Sequence, residues 1–100
     1  MNQNKVGTFI PVIIKTSLDL PPLWGRLSRL SPLEAELASQ FELQAGRVVT
    51  LSFELRGAFD DIRARITAVS KDGDGYFNYS LVFLDHSQTA VLAEAITAQS

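Results

Sequence analysis

One hundred residues suffice for one domain that buries roughly 60–70% of the unfolded chain's surface, and are too few for two independent cores. Hydrophobic residues make up 46% and charged residues 20%, with both signs spread along the chain, which excludes a disordered polypeptide; the net charge of −2 excludes the broad basic footprint of a nucleic-acid-polymer binder. The lack of cysteine excludes a disulfide framework, a thiolate nucleophile and a Cys-based zinc site, and a single His86 forms no imidazole cluster.

Residues 1–8 are mostly polar with a Gly at position 7 and read as a flexible N-terminal arm. They lack the basic start and apolar run of a secretory signal, and no apolar stretch approaches the ~20 residues of a membrane span, so the expectation is a cytoplasmic protein. Phe9 to Lys15 is β-branched and of strand length, with Pro11 near its start, where an edge tolerates a missing donor. Leu18-Asp19-Leu20-Pro21-Pro22 excludes helix and forms a connection. Leu23 to Leu30 then reads as a second strand. Leu23, Gly25 and Leu27 share one face, Trp24, Arg26 and Ser28 the other, and Gly25 marks a bulge.

Ser31-Pro32-Leu33-Glu34 is ambiguous. Ser at N-cap, Pro at N1 and Glu at N3 make a capping-box helix start, whereas the alternative is a turn followed by a strand from Leu33 to Ala38 with Leu33, Ala35 and Leu37 facing inward. Phe41 to Gly46 is a connection. Val49, Leu51, Phe53 and Leu55 then alternate with Val48, Thr50, Ser52 and Glu54, the clearest strand pattern in the chain. Arg56 to Asp60 reads as a turn, after which Ile62, Ala64, Ile66 and Ala68 alternate with Arg63, Arg65 and Thr67.

Lys71-Asp72-Gly73-Asp74-Gly75 is a Gly/Asp turn. It lacks the third oxygen donor and the distant Glu of a calcium loop. Tyr76 to Leu84 forms the next strand, with Phe77, Tyr79, Leu81 and Phe83 on one face. Asp85 or Ser87 caps a final helix over 86–98, with Val91, Leu92, Ala95 and Ile96 as its apolar stripe. The order is β, β, ambiguous, β, β, β, α, and the span 9–84 carries all of the strands.

Catalytic motifs are missing from this pattern. Gly25-Arg-Leu-Ser28 lacks the Gly-x-Ser-x-Gly arrangement of a nucleophile elbow. The carboxylate pairs Asp60-Asp61 and Glu34/Glu36 sit at strand ends or on polar faces, with no apolar surroundings to tune a pKa. The residues therefore point to a non-enzymatic domain. Arg63 and Arg65 share one face and could grip a phosphate together, although an outward pair opposite acidic neighbours is the commoner meaning. Trp24 suits burial in the core or as a barrel cap, or else stacking on a base or partner.

The element order resembles the bacterial PilZ domain from about Phe9 to Ile96. So do the segments Arg29-Leu-Ser31-Pro-Leu-Glu34-Ala-Glu-Leu, Leu43-Gln-Ala-Gly46-Arg-Val-Val-Thr-Leu, Arg63-Ala-Arg-Ile-Thr-Ala-Val and Tyr79-Ser-Leu-Val-Phe83. The resemblance implies a mostly β fold, a six-stranded antiparallel barrel with a C-terminal helix, in a bacterial signalling protein. Typical members are similar in binding cyclic di-GMP through an Arg-x-x-x-Arg arm and an Asp/Asn-x-Ser-x-x-Gly turn, where guanidinium groups clamp phosphates and stack on guanines.

Carried over residue by residue, only Ser31 matches the turn motif. Arg29 stands where Asp/Asn is expected, Glu34 where Gly is expected, and the arm offers Lys5 but no arginine. Arg26 and Arg29, three apart on a strand, are expected on opposite faces and give no substitute clamp. The implied role is a regulatory adaptor for pilus, motility or related machinery that acts through protein contacts without a cofactor. The rival is a divergent receptor that holds cyclic di-GMP as ligand through Arg29, Ser31, Arg63 and Arg65 or Arg47. A homodimer is an allowed assembly, with Val82, Leu84 and Trp24 as its face.

Overall fold

The computed structural model describes residues 10–17 and 19–99; the expected arm over 1–8, Phe9 and Leu18 lie outside them. Six strands are formed: β1 (Ile10–Lys15), β2 (Leu23–Leu30), β3 (Glu34–Ser39), β4 (Val48–Glu54), β5 (Ala58–Lys71) and β6 (Phe77–Phe83). One helix follows, α1 (Thr89–Gln99). The strands close into an antiparallel barrel in the order β1-β2-β3-β6-β5-β4, which is the architecture expected from the sequence.

The alternation written into the chain puts apolar side chains inside. Val12, Ile14, Leu27, Leu37, Val49, Leu51, Ile66 and Leu81 are at most 2% exposed, and they form one cluster with Phe53, Phe59, Tyr79 and Phe83. Phe53 and Phe59 stack with ring centres 5.4 Å apart. The outer surface carries the charges, the reverse of a barrel whose lipid-facing wall is apolar. Among the described residues no helix is long and apolar enough to cross a membrane.

Several side chains depart from simple alternation, and two irregularities account for most of them. The β2–β3 register shifts between Leu27 and Arg29, so Ser28 is the bulged residue rather than Gly25. Leu27 pairs with Leu37 and Leu30 with Ala35 inside, while Arg26 pairs with Ala38 and Arg29 with Glu36 outside. Arg26 and Arg29 therefore share the outer face, correcting the expectation that they oppose each other. A second shift between Ile66 and Ala68 turns Ala68 outward, where it is exposed rather than inward.

Gly25 has a different use. A Cβ built there would lie 2.9 Å from the Ala38 carbonyl oxygen and 3.1 Å from Ile14 Cδ1, so glycine lets β2 approach β3 closely. β5 begins earlier than expected, at Ala58, because the turn contracts to Arg56 and Gly57 at φ of 55° and 147°. A bulge at Asp60-Asp61, with Asp61 at φ 54°, then keeps both Phe59 and Ile62 inside.

The helix starts at Thr89, three residues later than expected. Its first bond runs from the Leu92 N–H to the Gln88 carbonyl, so neither Asp85 nor Ser87 is its cap. Leu92 and Ala95 are buried in the barrel core with Ile96 packed alongside, but Val91 is 60% exposed, which narrows the predicted stripe to three residues. A groove lined by Leu55, Phe59, Val91 and Ala98 shows α1 seated beside the β4–β5 hairpin.

Candidate functional site

The β2–β3 hairpin is where a ligand motif was expected, and its geometry follows from four residues. Ser31 Oγ accepts from the Glu34 N–H at 3.1 Å, the same i to i+3 bond a capping box would make. Here it closes a turn instead. The Ser31 N–H donates to the Glu34 carbonyl at 2.9 Å, the Ser31 hydroxyl donates to that carbonyl at 3.0 Å, and the Phe83 N–H donates to the Leu33 carbonyl at 2.9 Å. Pro32 supplies the bend, and the strand reading of Glu34–Ser39 prevails over the helix. Leu33 lies in the turn and is 53% exposed, so it is not an inward strand residue.

Outside this hairpin is a shallow concavity of about 450 Å³, lined by Arg29, Ser31, Glu34, Glu36, Thr67 and Ser80. Arg29 and Ser31 are thus brought together as expected. Their setting is mixed in charge, with Arg29 directly across from Glu36 and Glu34 beside Ser31. The Ser31 hydroxyl is already committed to the turn in both its donor and acceptor roles. Glu34 has no left-handed backbone, since the only non-glycine residues with positive φ among those described are Arg56 and Asp61. A side chain in place of the motif's glycine therefore costs no strain here.

The other two candidate residues are engaged elsewhere. Arg63 Nη2 and Nε donate to Asp85 Oδ1 at 2.7 and 3.0 Å, and the Arg63 N–H donates to Asp85 Oδ2 at 3.1 Å. The guanidinium hydrogen bonds, before all else, hold the Asp85 carboxyl below the usual carboxylate range, while the Asp85 bond raises Arg63 further. This pair ties β5 to the segment entering α1. Arg65 stands in the row Glu34–Val82–Arg65, two strands from the hairpin. Its Nη1 donates to the Gly46 carbonyl at 3.2 Å, on the β4 side. Arg29 and Ser31 line the concavity, whereas Arg63 and Arg65 do not.

A second surface gathers Trp24 with Phe41 and Tyr76, two residues the sequence did not single out for it. Trp24 is 61% exposed and Phe41 46%, so of the two readings of Trp24 the buried one falls and the exposed one stands. Together with Pro11, Arg26 and Tyr76 they line a groove across β1, β2 and the loop after β3. The Arg26 guanidinium sits 5.4 Å from the centre of the Tyr76 ring. Ser39, 1% exposed, fixes the two large aromatics: its hydroxyl donates to the Trp24 carbonyl at 2.8 Å and accepts from the Phe41 N–H at 3.3 Å. Alternation correctly put Trp24 on the outer face of β2, and that was the available signal. Val82 and Leu84 lie near the opposite end of β6 from Tyr76, roughly 20 Å away at ~3.3 Å per residue, so they make no common face with Trp24.

Tyr79 was read only as a core residue. It is 1% exposed, and its hydroxyl donates to the Phe41 carbonyl at 2.6 Å and accepts from the Leu43 N–H at 2.7 Å, anchoring the loop after β3. Burial pushes its pKa up. The Asp72 carboxylate accepts from the Asp74 N–H at 2.9 Å and the Tyr76 N–H at 3.2 Å, which is turn chemistry. These bonds, the Asp74 one foremost, lower its pKa. Among the described residues no group of three or more His, Asp or Glu is placed to hold a metal ion. No protein-family model and no curated protein matches the sequence.

Proposed function

We propose that this chain is a non-enzymatic bacterial regulatory adaptor of the PilZ type, degenerate for cyclic di-GMP, that acts in the cytoplasm through protein contacts on motility, pilus or related machinery. The observation that carries the reading is the charge at the Ser31 hairpin. A cyclic dinucleotide brings two phosphodiester charges, and the concavity beside Ser31 offers Glu34 and Glu36 against Arg29. Repulsion by two carboxylates offsets the attraction of one guanidinium. Arg63 and Arg65 do not restore the balance, because Asp85 and the Gly46 carbonyl hold them away from the hairpin.

The groove with Trp24 and Phe41 supports the other half of the reading. Large aromatics held on rigid backbone, beside an arginine, are the side chains that anchor protein partners. Isothermal titration with cyclic di-GMP tests the proposal. Flat heats are expected, and micromolar or tighter binding would overturn it in favour of the divergent receptor. Capture of host proteins by the wild type but not by a Trp24→Ala, Phe41→Ala variant is the expected partner result; equal capture by both would remove this groove from the account.

A further inference from the structure

Two Asp-Gly pairs, Asp72-Gly73 and Asp74-Gly75, follow one another in the β5–β6 turn, and the chain has no other Asp-Gly or Asn-Gly pair. A glycine N–H has no side chain beside it to shield the nitrogen from the carboxyl carbon of the preceding aspartate. The fold treats the two pairs differently. The Asp72 Oδ1 accepts from the Asp74 N–H at 2.9 Å and the Tyr76 N–H at 3.2 Å, and its Oδ2 accepts from Asn78 Nδ2 at 3.4 Å. The Asp72 N–H in turn donates to the Tyr76 carbonyl at 3.0 Å. Attack on Asp72 by the Gly73 nitrogen requires that side chain to rotate and break its bonds, which also favour the ionised carboxylate, the poorer electrophile. Asp74 and Gly75 are both exposed. Among the described residues no group donates to the Asp74 carboxylate and the Gly75 N–H has no partner. A Cβ built on Gly75 would meet nothing within 4 Å.

We infer that Asp74-Gly75 is a site of spontaneous aspartate isomerisation, which the turn selects over Asp72-Gly73. The Gly75 nitrogen gives its proton to solvent and bonds to the Asp74 carboxyl carbon, Cγ. A Cγ–O bond breaks, that oxygen leaves as water, and a succinimide ring is closed. Water then adds back. Addition at Cγ, with cleavage of its bond to nitrogen, restores aspartate. Addition at the main-chain carbonyl, with cleavage of its bond to nitrogen, leaves the chain running through Cγ, an isoaspartate of unchanged mass and charge. Solvent water is the only reactant. The product inserts one methylene between Asp74 and Gly75, inside the loop that the Tyr76 N–H closes on Asp72 and the Asp72 N–H closes on Tyr76. Both bonds are displaced, and Tyr76, whose ring lies 5.4 Å from the Arg26 guanidinium in the Trp24 groove, moves with them. Isomerisation at the tip therefore reaches the aromatic groove.

This site is separate from the Ser31 hairpin and stands whether or not the chain is PilZ-like. The test is incubation of the full chain at neutral pH for several weeks, then tryptic digestion and electron-transfer fragmentation, which tells isoaspartate from aspartate at each position. In the folded chain isoaspartate is expected to form at Asp74 several-fold faster than at Asp72. In guanidinium chloride, where the bonds of the turn are gone, the two rates should converge, so the same chain supplies its own control. Asp74→Glu, which would have to close a larger and slower ring, should abolish the reaction at that position while Asp72 stays slow. Equal rates at the two positions in the folded chain, a faster reaction at Asp72, or no isoaspartate at Asp74 over a period in which the unfolded chain forms it, would overturn the inference.

Discussion

Removing one oxygen from Tyr79 isolates a single contribution to the fold. Tyr79→Phe keeps the ring, its apolar contacts and its strand propensity, and deletes only the hydroxyl that bridges Phe41 and Leu43. The Leu43 N–H then loses its partner beside a side chain only 9% exposed, which costs about 1–3 kcal/mol for an unsatisfied buried donor. The Phe41 carbonyl belongs to a half-exposed residue, and loss of its bond adds about 0.5–1.5 kcal/mol because water partly replaces the donor. The sum is about 2–4 kcal/mol, a large part of the ~5–15 kcal/mol that holds a domain together.

In urea unfolding at 25 °C, an m value of about 1.5 kcal/mol/M converts that loss into a midpoint lower by about 2 M. The slope should not change, since the surface exposed on unfolding is the same. In a thermal melt the shift is about 4–8 °C per kcal/mol. Tyr76→Phe, on a half-buried ring, should lose about 0.5 kcal/mol or less. A Tyr79→Phe loss below about 1 kcal/mol, or one no larger than that of Tyr76→Phe, would refute the anchoring role.

Gly25→Ala should destabilise by about 1–3 kcal/mol in the same assay, because its Cβ must displace the Ala38 carbonyl of β3 rather than a movable side chain. Leu33→Ser should be neutral to within about 0.5 kcal/mol, since Leu33 projects from the hairpin turn; a large loss would mean the turn packs differently. Acid titration should show stability falling as pH drops below the ordinary carboxylate range near 4. Asp72 and Asp85 have folded pKa values below their unfolded ones, so their contribution is complete above the unfolded pKa and is lost as pH falls through the folded one. Asp72→Asn should flatten that acid limb in pH-dependent melts. At the alkaline end the sign reverses: the raised Tyr79 pKa gives stability complete below about pH 10 and lost as pH climbs through the folded value. Tyr79→Phe should remove that loss.

Strand positions were legible because each apolar run matched the period of a half-buried strand, and Val49, Leu51 and Phe53 against Ile62, Ala64 and Ile66 left little freedom of register. The errors lie where a local feature broke the period. A bulge is one residue out of step, so Ser28 reversed the expected relation of Arg26 and Arg29, and the irregularity after Ile66 reversed Ala68. Ser31-Pro32-Leu33-Glu34 was ambiguous for a physical reason, since its Ser-to-Glu hydrogen bond serves a helix start and a β-turn equally well. What decided it was the partner strand β6, which the local sequence does not contain. At the candidate site, side-chain types were readable but their engagements were not. Asp85 looked like a helix cap and is the counter-ion of Arg63, a contact between residues 22 apart in sequence. Tyr79 looked purely apolar in role, and its hydroxyl reaches a loop 36 residues away.

The proposal that the Ser31 hairpin, crowded by Glu34 and Glu36, holds cyclic di-GMP weakly or not at all is open to one direct measurement. An amide-resolved NMR titration with the nucleotide tests it at the site itself. The Ser31, Glu34 and Glu36 amides are expected to show no saturable shift below about 1 mM nucleotide, the concentration that half fills a site of about −4 kcal/mol. Saturable shifts of those amides at micromolar nucleotide would contradict it.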